Sequence, residues 1–349
     1  MNFQEFKEKY QHKEVTINSN KVGDKPLVSV CVQTYQHSPY IRECLDGILM
    51  QKTDFAFEIL LGEDSSSDGT REICMEYAKK YANKIRLFLH HRENNIKIDG
   101  KPTGRFNFLY NLYNAEGKYI AICEGDDYWI DSLKLQKQVD FMEANEEDYV
   151  GVYTNYKICD QDGRLIESKG LKESHPPFFD RLSVFGRYSS QTLTVLYKNT
   201  PEAINKMSEF TDFLNADRVL AVMMAQHGKI KYMDFISGVY RWGSGMHSTK
   251  SAKVKRARRF ELYKRFKQNF KQKEDVVSAI NQRLNNLYID EIWRFAWRGK
   301  FKKAFYYNTL RKKETGMPFD KFLPRMLNYI FGALISRTKN IASKKAITR

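Results

Sequence analysis

The stretch Lys118-Tyr-Ile-Ala-Ile-Cys-Glu-Gly-Asp-Asp-Tyr-Trp129 joins an apolar run of strand length directly to an acidic turn. A short run that is apolar throughout is typical of a strand buried on both faces of a parallel sheet. In open α/β sheets, ligands bind beyond the carboxyl ends of the strands. The acidic turn Glu124-Gly125-Asp126-Asp127 therefore lies where a functional site is expected.

The residues before this stretch repeat the same strand-then-helix pattern. Apolar runs at 27–34, 57–61 and 85–89 alternate with segments of helical periodicity, of which the first is predicted to begin at Ser38-Pro39. Later strands are predicted at 149–158, 191–197 and 229–240, with a helix at 214–227. The pattern predicts an α/β fold with a mostly parallel, Rossmann-like sheet flanked by helices.

Two further strands also end in polar residues. Gln33-Thr34-Tyr35-Gln36 follows the first strand, and Gly62-Glu63-Asp64-Ser65-Ser66-Ser67-Asp68 closes the second. Carboxylates gathered at strand ends repel one another unless a cation or a donor neutralises them. Mg²⁺ and Mn²⁺ bind a few carboxylates and complete their coordination with phosphate and water oxygens, so a metal–diphosphate site is predicted.

Each acidic group also has an ordinary explanation. Asp68 precedes Gly69-Thr70 and is equally well placed to cap the second helix. Asp126 and Asp127 are similarly placed to cap a helix beginning near Asp131. The recurrence of acidic residues at successive strand ends favours a binding site over capping at the third of them.

Together these segments resemble the three signature stretches of family 2 inverting glycosyltransferases, which have the GT-A fold. The resemblance covers about residues 26–245 in the right order and spacing. The sequence departs from the usual pattern at three positions: Gln33 replaces the usual proline, and Glu63 and Glu124 replace aspartates. Glutamate keeps the charge, so metal use is still expected.

The resemblance implies a role for each of these residues. Thr34, Tyr35, Glu63 and Asp64 would bind the nucleotide. Asp126 would be the principal metal ligand, helped by Glu124 or Asp127, and Asp127 is also a candidate nucleotide contact. Apart from the resemblance, Arg105 and Lys97 lie in a basic stretch before the fourth strand and are candidates to face the diphosphate, although a solvated surface explains them equally well. The metal would be Mg²⁺ or Mn²⁺. Asp217 would be the catalytic base, although an aspartate in the first turn of a helix is also favoured by the helix dipole. Arg241 or His247 would lie near the phosphates.

Charge divides the chain into parts. Residues 251–349 hold 26 Lys and Arg against 7 Asp and Glu, whereas residues 1–250 hold 32 against 35. We predict a lead-in over 1–25, a GT-A domain over 26–250 and a basic helical region over 251–349. Basic residues interspersed with aromatics fit an anionic membrane surface, nucleic acid or a helical region with a solvated basic face. The resemblance favours the membrane surface, because family 2 enzymes often act on lipid-linked acceptors, and the short apolar stretch 322–335 would then lie in the interface.

The N-terminal residues lack signal-peptide features and no run of 18 apolar residues occurs. Five cysteines without a C-x-x-C pair predict buried free thiols. We therefore expect a cytoplasmic protein, peripheral on the inner face of the cell membrane.

The predicted function is transfer of a sugar from a UDP-sugar or a related nucleotide-sugar donor to a hydroxyl of a glycan or lipid-linked acceptor, in surface polysaccharide synthesis. A sugar nucleotidyltransferase is one alternative, but it would need a glycine-rich phosphate loop that the sequence lacks. A non-enzymatic protein that binds anionic polymers through the basic region is another. Nucleic acid is disfavoured as partner because the acidic strand ends would then have no role.

Overall fold

The computed structural model describes residues 1–23, 25–166, 176–186, 190–213, 215–243 and 251–317. The chain divides into two compact units, Met1–Ala252 and Lys253–Arg349. The stretch 322–335 and His247, both singled out from the sequence, lie outside the described residues. Among the described residues, no helix combines the length and the apolar character needed to cross a membrane.

The helices are α1 (Phe3–Tyr10), α2 (Ile41–Leu49), α3 (Thr70–Lys80), α4 (Arg105–Tyr113), α5 (Lys134–Ala144), α6 (Pro201–Met207), α7 (Ala216–Met224), α8 (Ala252–Asn269), α9 (Glu274–Ala296) and α10 (Phe301–Thr315). The strands are β1 (Thr16–Ile17), β2 (Val28–Thr34), β3 (Phe57–Glu63), β4 (Ile85–Leu89), β5 (Lys97–Ile98), β6 (Lys101–Pro102), β7 (Tyr119–Ile122), β8 (Tyr128–Trp129), β9 (Tyr149–Cys159), β10 (Phe178–Phe179), β11 (Leu196–Lys198) and β12 (Lys229–Arg241).

A single large sheet organises the first unit. Its strand order is β1-β4-β3-β2-β7-β11-β9-β12-β10, with β8 paired to β12. Strands β2, β3, β4, β7, β9 and β12 run in one direction, and β1, β8, β10 and β11 run in the other. The predicted mostly parallel α/β sheet is therefore confirmed, and the carboxyl ends of the six co-directed strands lie along one edge.

Burial explains why the central strands form. Every residue of β3 is buried, and β2 is buried except at the half-buried Gln33, as expected for strands covered on both faces. Helix α2 buries Ile41, Leu45 and Ile48 on one side, the face predicted from the i, i+4, i+7 spacing. All five cysteines are buried and free.

Two local predictions were wrong. Helix α2 begins at Ile41 and not at Pro39, because the backbone N–H groups of His37 and Ser38 donate to Thr70 and Asp68 and stay in the loop. The strand predicted at 191–197 is a short turn of 3-10 helix at 192–194 followed by β11. The carbonyl of Leu193 in that turn accepts from the Trp129 indole at 2.8 Å, which fixes the turn.

The N-terminal residues are folded. Asn2 and Glu5 form a reciprocal capping box at the start of α1, and Phe6 is fully buried beside Phe106 at a ring distance of 5.1 Å. Strand β1 pairs antiparallel with β4. The described residues of the segment 1–25 thus belong to the first unit. Their polar composition gave no sign of this packing.

The second unit is helical over its described part. Helices α8, α9 and α10 bury apolar residues including Phe266, Ile280 and Leu284. The buried Glu291 accepts from Arg256 at 2.9 Å and from Arg294. Near the junction of α9 and α10, Trp297, Phe305 and Tyr306 are 53–65% exposed.

Candidate active site

Loops from three adjacent strands meet at the carboxyl edge of the sheet. The Asp64 backbone N–H donates to the Thr34 carbonyl at 3.1 Å, and the Gly125 N–H donates to the Gln33 carbonyl at 3.0 Å. The last two carbonyls of β2 therefore hold both the loop after β3 and the acidic turn after β7. A Cβ at Gly125 would lie 2.7 Å from Thr34 Oγ1, so only glycine fits this contact.

Asp64 is buried beside the carboxyl end of β2 and is bonded by residues that follow β4. Its Oδ2 accepts from Arg92 at 2.7 Å and from Asn95 at 2.9 Å. Its Oδ1 is buried and has no hydrogen-bond partner among the described residues. Burial, only partly offset by Arg92, raises the pKa of Asp64 to about 6. A buried acceptor without a donor is costly, which indicates that a ligand N–H completes it.

Tyr35 provides an aromatic surface next to this acceptor. Its ring is 38% exposed, and the Arg92 guanidinium lies over it at 3.9 Å from the ring centre. Arg92 thus orients both Asp64 and Tyr35. Arg92 and Asn95 were not among the predicted site residues. Both are polar residues that follow the carboxyl end of β4, which is the signal that pointed to the residues after β2, β3 and β7.

Glu63 is hydrogen-bonded within the loop that follows β3. We expected a nucleotide contact, but its buried carboxylate accepts from the backbone N–H groups of Ser65 and Ser66 and from Arg71. These bonds shape the loop that carries Asp64. Thr34 is buried, with Oγ1 3.2 Å from His37 Nδ1.

Asp68 has the capping role. It accepts from the backbone N–H of Thr70 at 3.1 Å and from that of Ser38 at 3.0 Å. Burial acts to raise its pKa, but these hydrogen bonds outweigh burial and lower the pKa of Asp68 to about 2. Asp68 therefore bonds the first residue of α3 and ties the loop after β2 to the loop after β3.

The acidic turn after β7 gathers three carboxylates. Oxygens of Glu124, Asp126 and Asp127 lie within 4.8 Å of one another, a group that could hold a metal ion. The capping alternative fails here, because α5 begins only at Lys134 and Asp131 bonds the turn before it. Asp127 Oδ1 accepts from the Arg241 backbone N–H at 2.8 Å, which joins the turn to the end of β12.

Electrostatic repulsion is strong in this cluster. Burial, then Asp126 and Asp217, raise the pKa of Glu124 to about 8, and burial with Asp126 and Glu124 raises that of Asp127 well above its usual range. Three oxygen ligands whose charges oppose one another suit a hard divalent cation, which would relieve the repulsion. The residues present therefore fit Mg²⁺ or Mn²⁺.

Asp217 and Arg105 lie at the same site. Asp217 is exposed in the first turn of α7, and its charge contributes to the raised pKa of Glu124. The Arg105 guanidinium is buried and donates to the Phe213 carbonyl. Burial lowers the pKa of Arg105 to about 10, against the opposing effect of Asp217 and Glu124. Arg105 is therefore near enough to Asp217 and Glu124 for both charges to act on it.

The Arg241 side chain connects the acidic turn to α2. Its Nη2 donates to Glu43 at 2.6 Å and its Nε donates to the Asp126 carbonyl at 3.0 Å. The side chain is 3% exposed. The sequence places Arg241 near the phosphates, whereas these contacts give it a bracing function.

Comparison with known proteins finds similarity to the same family. Residues 29–189 match the family described as Glycosyl transferase family 2. Protein Rv1520 of Mycobacterium tuberculosis, an uncharacterised protein, is 35% identical over 220 residues, 61% of this chain and 58% of its own length. TuaG of Bacillus subtilis, described as a putative teichuronic acid biosynthesis glycosyltransferase, is 33% identical over 143 residues, 41% of this chain and 52% of its own length. The chain thus spans little more than half the length of these relatives.

A solved structure supports the fold. A mannosyltransferase from Pyrobaculum calidifontis, in complex with GDP-mannose and Mn²⁺, aligns over 94% of this chain and 85% of its own, with a TM-score of 0.52 and 16% identity. At this identity the likeness concerns architecture alone. It confirms the predicted GT-A arrangement of a mostly parallel sheet flanked by helices.

Proposed function

Because residues 29–189 form a glycosyltransferase family 2 domain, we propose that the protein is an inverting glycosyltransferase. It transfers a sugar from a UDP-sugar to a hydroxyl of a glycan or lipid-linked acceptor in cell-surface polysaccharide synthesis. One observation carries the proposal: a buried unpaired acceptor at Asp64, a metal-binding carboxylate cluster and Asp217 share one edge of the sheet.

The nucleotide base is assigned to Asp64 and its neighbours. The free Oδ1 accepts the N3–H of uracil, while Arg92 and Asn95 hold the other oxygen in place. The Tyr35 ring, backed by Arg92, stacks on the base. Glu63 acts indirectly through the loop, and Thr34 lies beside Gly125.

The diphosphate is assigned to the carboxylate cluster. Asp126, with Glu124 and Asp127, would hold Mg²⁺ or Mn²⁺, and the metal would stabilise the negative charge of the departing nucleoside diphosphate. Arg105 adds a fixed positive charge next to Glu124. TuaG is described as a putative teichuronic acid biosynthesis glycosyltransferase, and the mannosyltransferase of similar fold is in complex with GDP-mannose and Mn²⁺; both descriptions support a sugar donor and a metal here.

Asp217 is assigned as the general base. Inversion in a single displacement requires a base that removes the acceptor proton as the hydroxyl attacks the anomeric carbon. Asp217 is exposed to an incoming acceptor and sits close enough to Glu124 for its charge to be felt there.

Calorimetric titration with UDP and with GDP, each with and without Mn²⁺, tests the donor assignment. We expect Mn²⁺-dependent binding that is tighter for UDP. The absence of metal-dependent binding of either nucleotide would overturn the proposed function, and a preference for GDP would change the donor.

Asp217→Asn tests the base. General-base catalysis contributes roughly 10²–10⁴-fold, so we expect kcat to fall by at least about 100-fold while the Kd for UDP stays within about twofold. Asp212→Asn is a matched control, since this exposed aspartate lies in the segment before α7. Turnover retained by Asp217→Asn would refute the assignment.

For the second unit we propose attachment to an anionic membrane surface. The exposed Trp297, Phe305 and Tyr306 lie among exposed basic residues at 298, 300, 302 and 303. Aromatic rings suit the interfacial region of a bilayer, and lysine and arginine are drawn to anionic lipid headgroups. Placing the enzyme there would suit a lipid-linked acceptor.

Vesicle sedimentation tests this attachment. We expect binding to vesicles that contain phosphatidylglycerol, weak binding to pure phosphatidylcholine, and a clear loss for Trp297→Ala. Trp242→Ala, at an exposed tryptophan of the first unit, serves as control. Equal binding to neutral and anionic vesicles, or none to either, would contradict the proposal.

A further inference from the structure

Gln33 has a buried side chain that none of the steps above uses. It is the penultimate residue of β2 and stands where the family 2 pattern usually has proline. Its Nε2 and Oε1 are both buried, and neither completes a hydrogen bond within the described residues. Burying an amide without partners is costly, so such a group in a folded protein needs an explanation. The exchange of proline for glutamine therefore adds a polar group that the packing of the strand does not require.

The Gln33 side chain lies on the face of the sheet that α4 covers. Gln33 is in register with Gly62 of β3, and residues in register on parallel strands point to the same face. A Cβ at Gly62 would come within 1.8 Å of Asn107 Oδ1, so this face is the one against α4. The helix is held there by Asn107 and Asn111, whose Nδ2 groups donate to the carbonyls of Gly62 at 2.7 Å and Val32 at 3.0 Å. Gln33 is therefore enclosed between β2 and α4 at the carboxyl edge of the sheet.

Glu124 adjoins this side chain. The backbone N–H of Gly125 donates to the Gln33 carbonyl at 3.0 Å, which places the acidic turn against the end of β2. Burial and the charges of Asp126 and Asp217 raise the pKa of Glu124, whereas the Gln33 amide acts to lower it. A neutral group lowers the pKa of a carboxyl by donating to the ionised form. The NH₂ end of the Gln33 amide therefore faces the Glu124 carboxylate, without completing a hydrogen bond to it in this structure.

The length of Glu124 explains the need for a donor at this position. Glutamate has one more methylene, and so one more rotatable bond, than the aspartate usual there. Carboxylates that bind a metal are oriented by hydrogen-bond donors outside the coordination shell. Asp127 has such a donor in the backbone N–H of Arg241, at 2.8 Å. Gln33 offers the corresponding donor for Glu124.

We propose that Gln33 is a positioning residue of the metal site: its side-chain NH₂ group donates to the Glu124 carboxylate when Mg²⁺ or Mn²⁺ is bound and holds that carboxylate in the orientation that ligation needs. This assignment rests on the proposed function, which places the metal at the acidic turn. Gln33 contacts neither the metal nor the nucleotide. Glutamine at 33 and glutamate at 124, two departures from the family pattern, act together.

Metal affinity in a Gln33→Met variant tests this assignment. Methionine keeps the unbranched shape and approximate length of glutamine and removes both polar atoms. Calorimetry on the full chain measures the Kd for Mn²⁺ at saturating UDP and the Kd for UDP without metal. Loss of an outer donor typically weakens metal binding by roughly 10- to 100-fold, and we expect the Kd for Mn²⁺ to rise by that factor. The metal-free Kd for UDP should be unchanged.

Thermal unfolding without metal distinguishes positioning from a structural role. Gln33→Met removes two buried polar atoms that have no partners, so its Tm should equal or exceed that of the unmodified protein. Gln138→Met is the matched control, because the buried Gln138 donates to the Thr194 carbonyl at 2.9 Å and accepts from Lys134 at 2.7 Å. The control variant should have a lower Tm and an unchanged Kd for Mn²⁺.

A double-substitution cycle tests whether Gln33 acts through Glu124. Glu124→Gln alone should weaken Mn²⁺ binding, while Asp126 and Asp127 still hold the ion. Adding Gln33→Met to Glu124→Gln should then leave the Kd for Mn²⁺ unchanged, because the carboxylate that Gln33 orients is already absent.

Three results would overturn the Gln33 assignment while the proposed function stands. The first is an unchanged Kd for Mn²⁺ in Gln33→Met. The second is a fall in its metal-free Tm as large as that of Gln138→Met, which would assign the amide to packing against Asn107 and Asn111. The third is an equal fold-change from Gln33→Met with and without Glu124→Gln. Absence of Mn²⁺-dependent UDP or GDP binding in the unmodified protein would instead refute the proposed function itself.

Discussion

Replacing Asp64 by asparagine removes one charge and puts an NH₂ group in place of one carboxylate oxygen at the proposed base-binding site. In the native protein Oδ2 receives both Arg92 and Asn95, and Oδ1 is buried without a partner among the described residues. Asparagine has a single oxygen, which the Arg92 guanidinium will attract because it offers a charged donor. The side-chain NH₂ group must then face the base, where it opposes the uracil N3–H.

The magnitude follows from the bond that is lost. A hydrogen bond to a charged group contributes about 1.5–3 kcal/mol. At about 1.4 kcal/mol for each factor of ten, the Kd for UDP should rise roughly 10- to 150-fold. The metal-dependent part of binding should persist, because the carboxylate cluster is untouched.

The same substitution should stabilise the protein at neutral and alkaline pH. The folded-state pKa of Asp64 is raised to about 6 by burial, so the native state disfavours the ionised form. Stability associated with this carboxyl is fully present below its ordinary pKa and is lost as the pH rises through about 6. Asp64→Asn escapes that loss, so its Tm should exceed that of the unmodified protein at pH 8, by a margin that shrinks toward pH 4.

Calorimetry with UDP and Mn²⁺ and thermal unfolding across pH make both measurements. Asp148→Asn is the matched control, because Asp148 is 69% exposed and precedes β9 at the opposite edge of the sheet. A Kd for UDP within twofold of the unmodified value would refute the assignment of the base to Asp64. Unchanged affinity together with a raised Tm would leave Asp64 as a strained but non-binding residue.

Other predictions concern the same edge of the sheet. UDP binding should weaken as the pH falls through about 6, as Asp64 takes up a proton, and titrations at constant ionic strength should show this dependence vanish in Asp64→Asn. Gly125→Ala should destabilise the fold by about 1–3 kcal/mol in denaturant unfolding, since its Cβ would meet Thr34 Oγ1 at 2.7 Å. Gly104→Ala, with open space around it and an ordinary φ, should change stability little. The five buried thiols should react with Ellman's reagent only upon unfolding; fast reaction of the native protein would contradict their burial.

Much of this site follows from one regularity in the sequence. Parallel strands buried on both faces read as apolar runs, and the polar residues after them must share an edge, which brings Asp64 and Glu124 together from distant positions. The role of Arg92 could not be predicted, because it depends on a tertiary contact of its side chain with Asp64 at the end of the neighbouring strand. The bond from the Arg241 backbone to Asp127 could not be predicted either, because it depends on where β12 lies in the sheet.

Two predictions of local secondary structure were wrong because tertiary contacts determine the backbone at those places. The Thr192–Thr194 segment has the β-branched composition of a strand, but the Trp129 indole fixes it as a turn. The start of α2 was displaced because Asp68 and Thr70 hold the preceding backbone in a loop. In both places a partner distant in sequence overrides a local preference that was itself correctly identified.

The two carbonyls at the end of β2 have a consequence for how the donor is recognised. The Thr34 carbonyl accepts from the Asp64 N–H at 3.1 Å, and the Gln33 carbonyl accepts from the Gly125 N–H of the carboxylate turn at 3.0 Å. The proposed base-binding loop and the carboxylate turn are thus bonded to adjacent residues of one strand, and no flexible segment lies between these two residues. Their contributions to the binding free energy should therefore add. A substitution at Asp64 combined with one at the carboxylate turn should raise the Kd by the product of the two single effects.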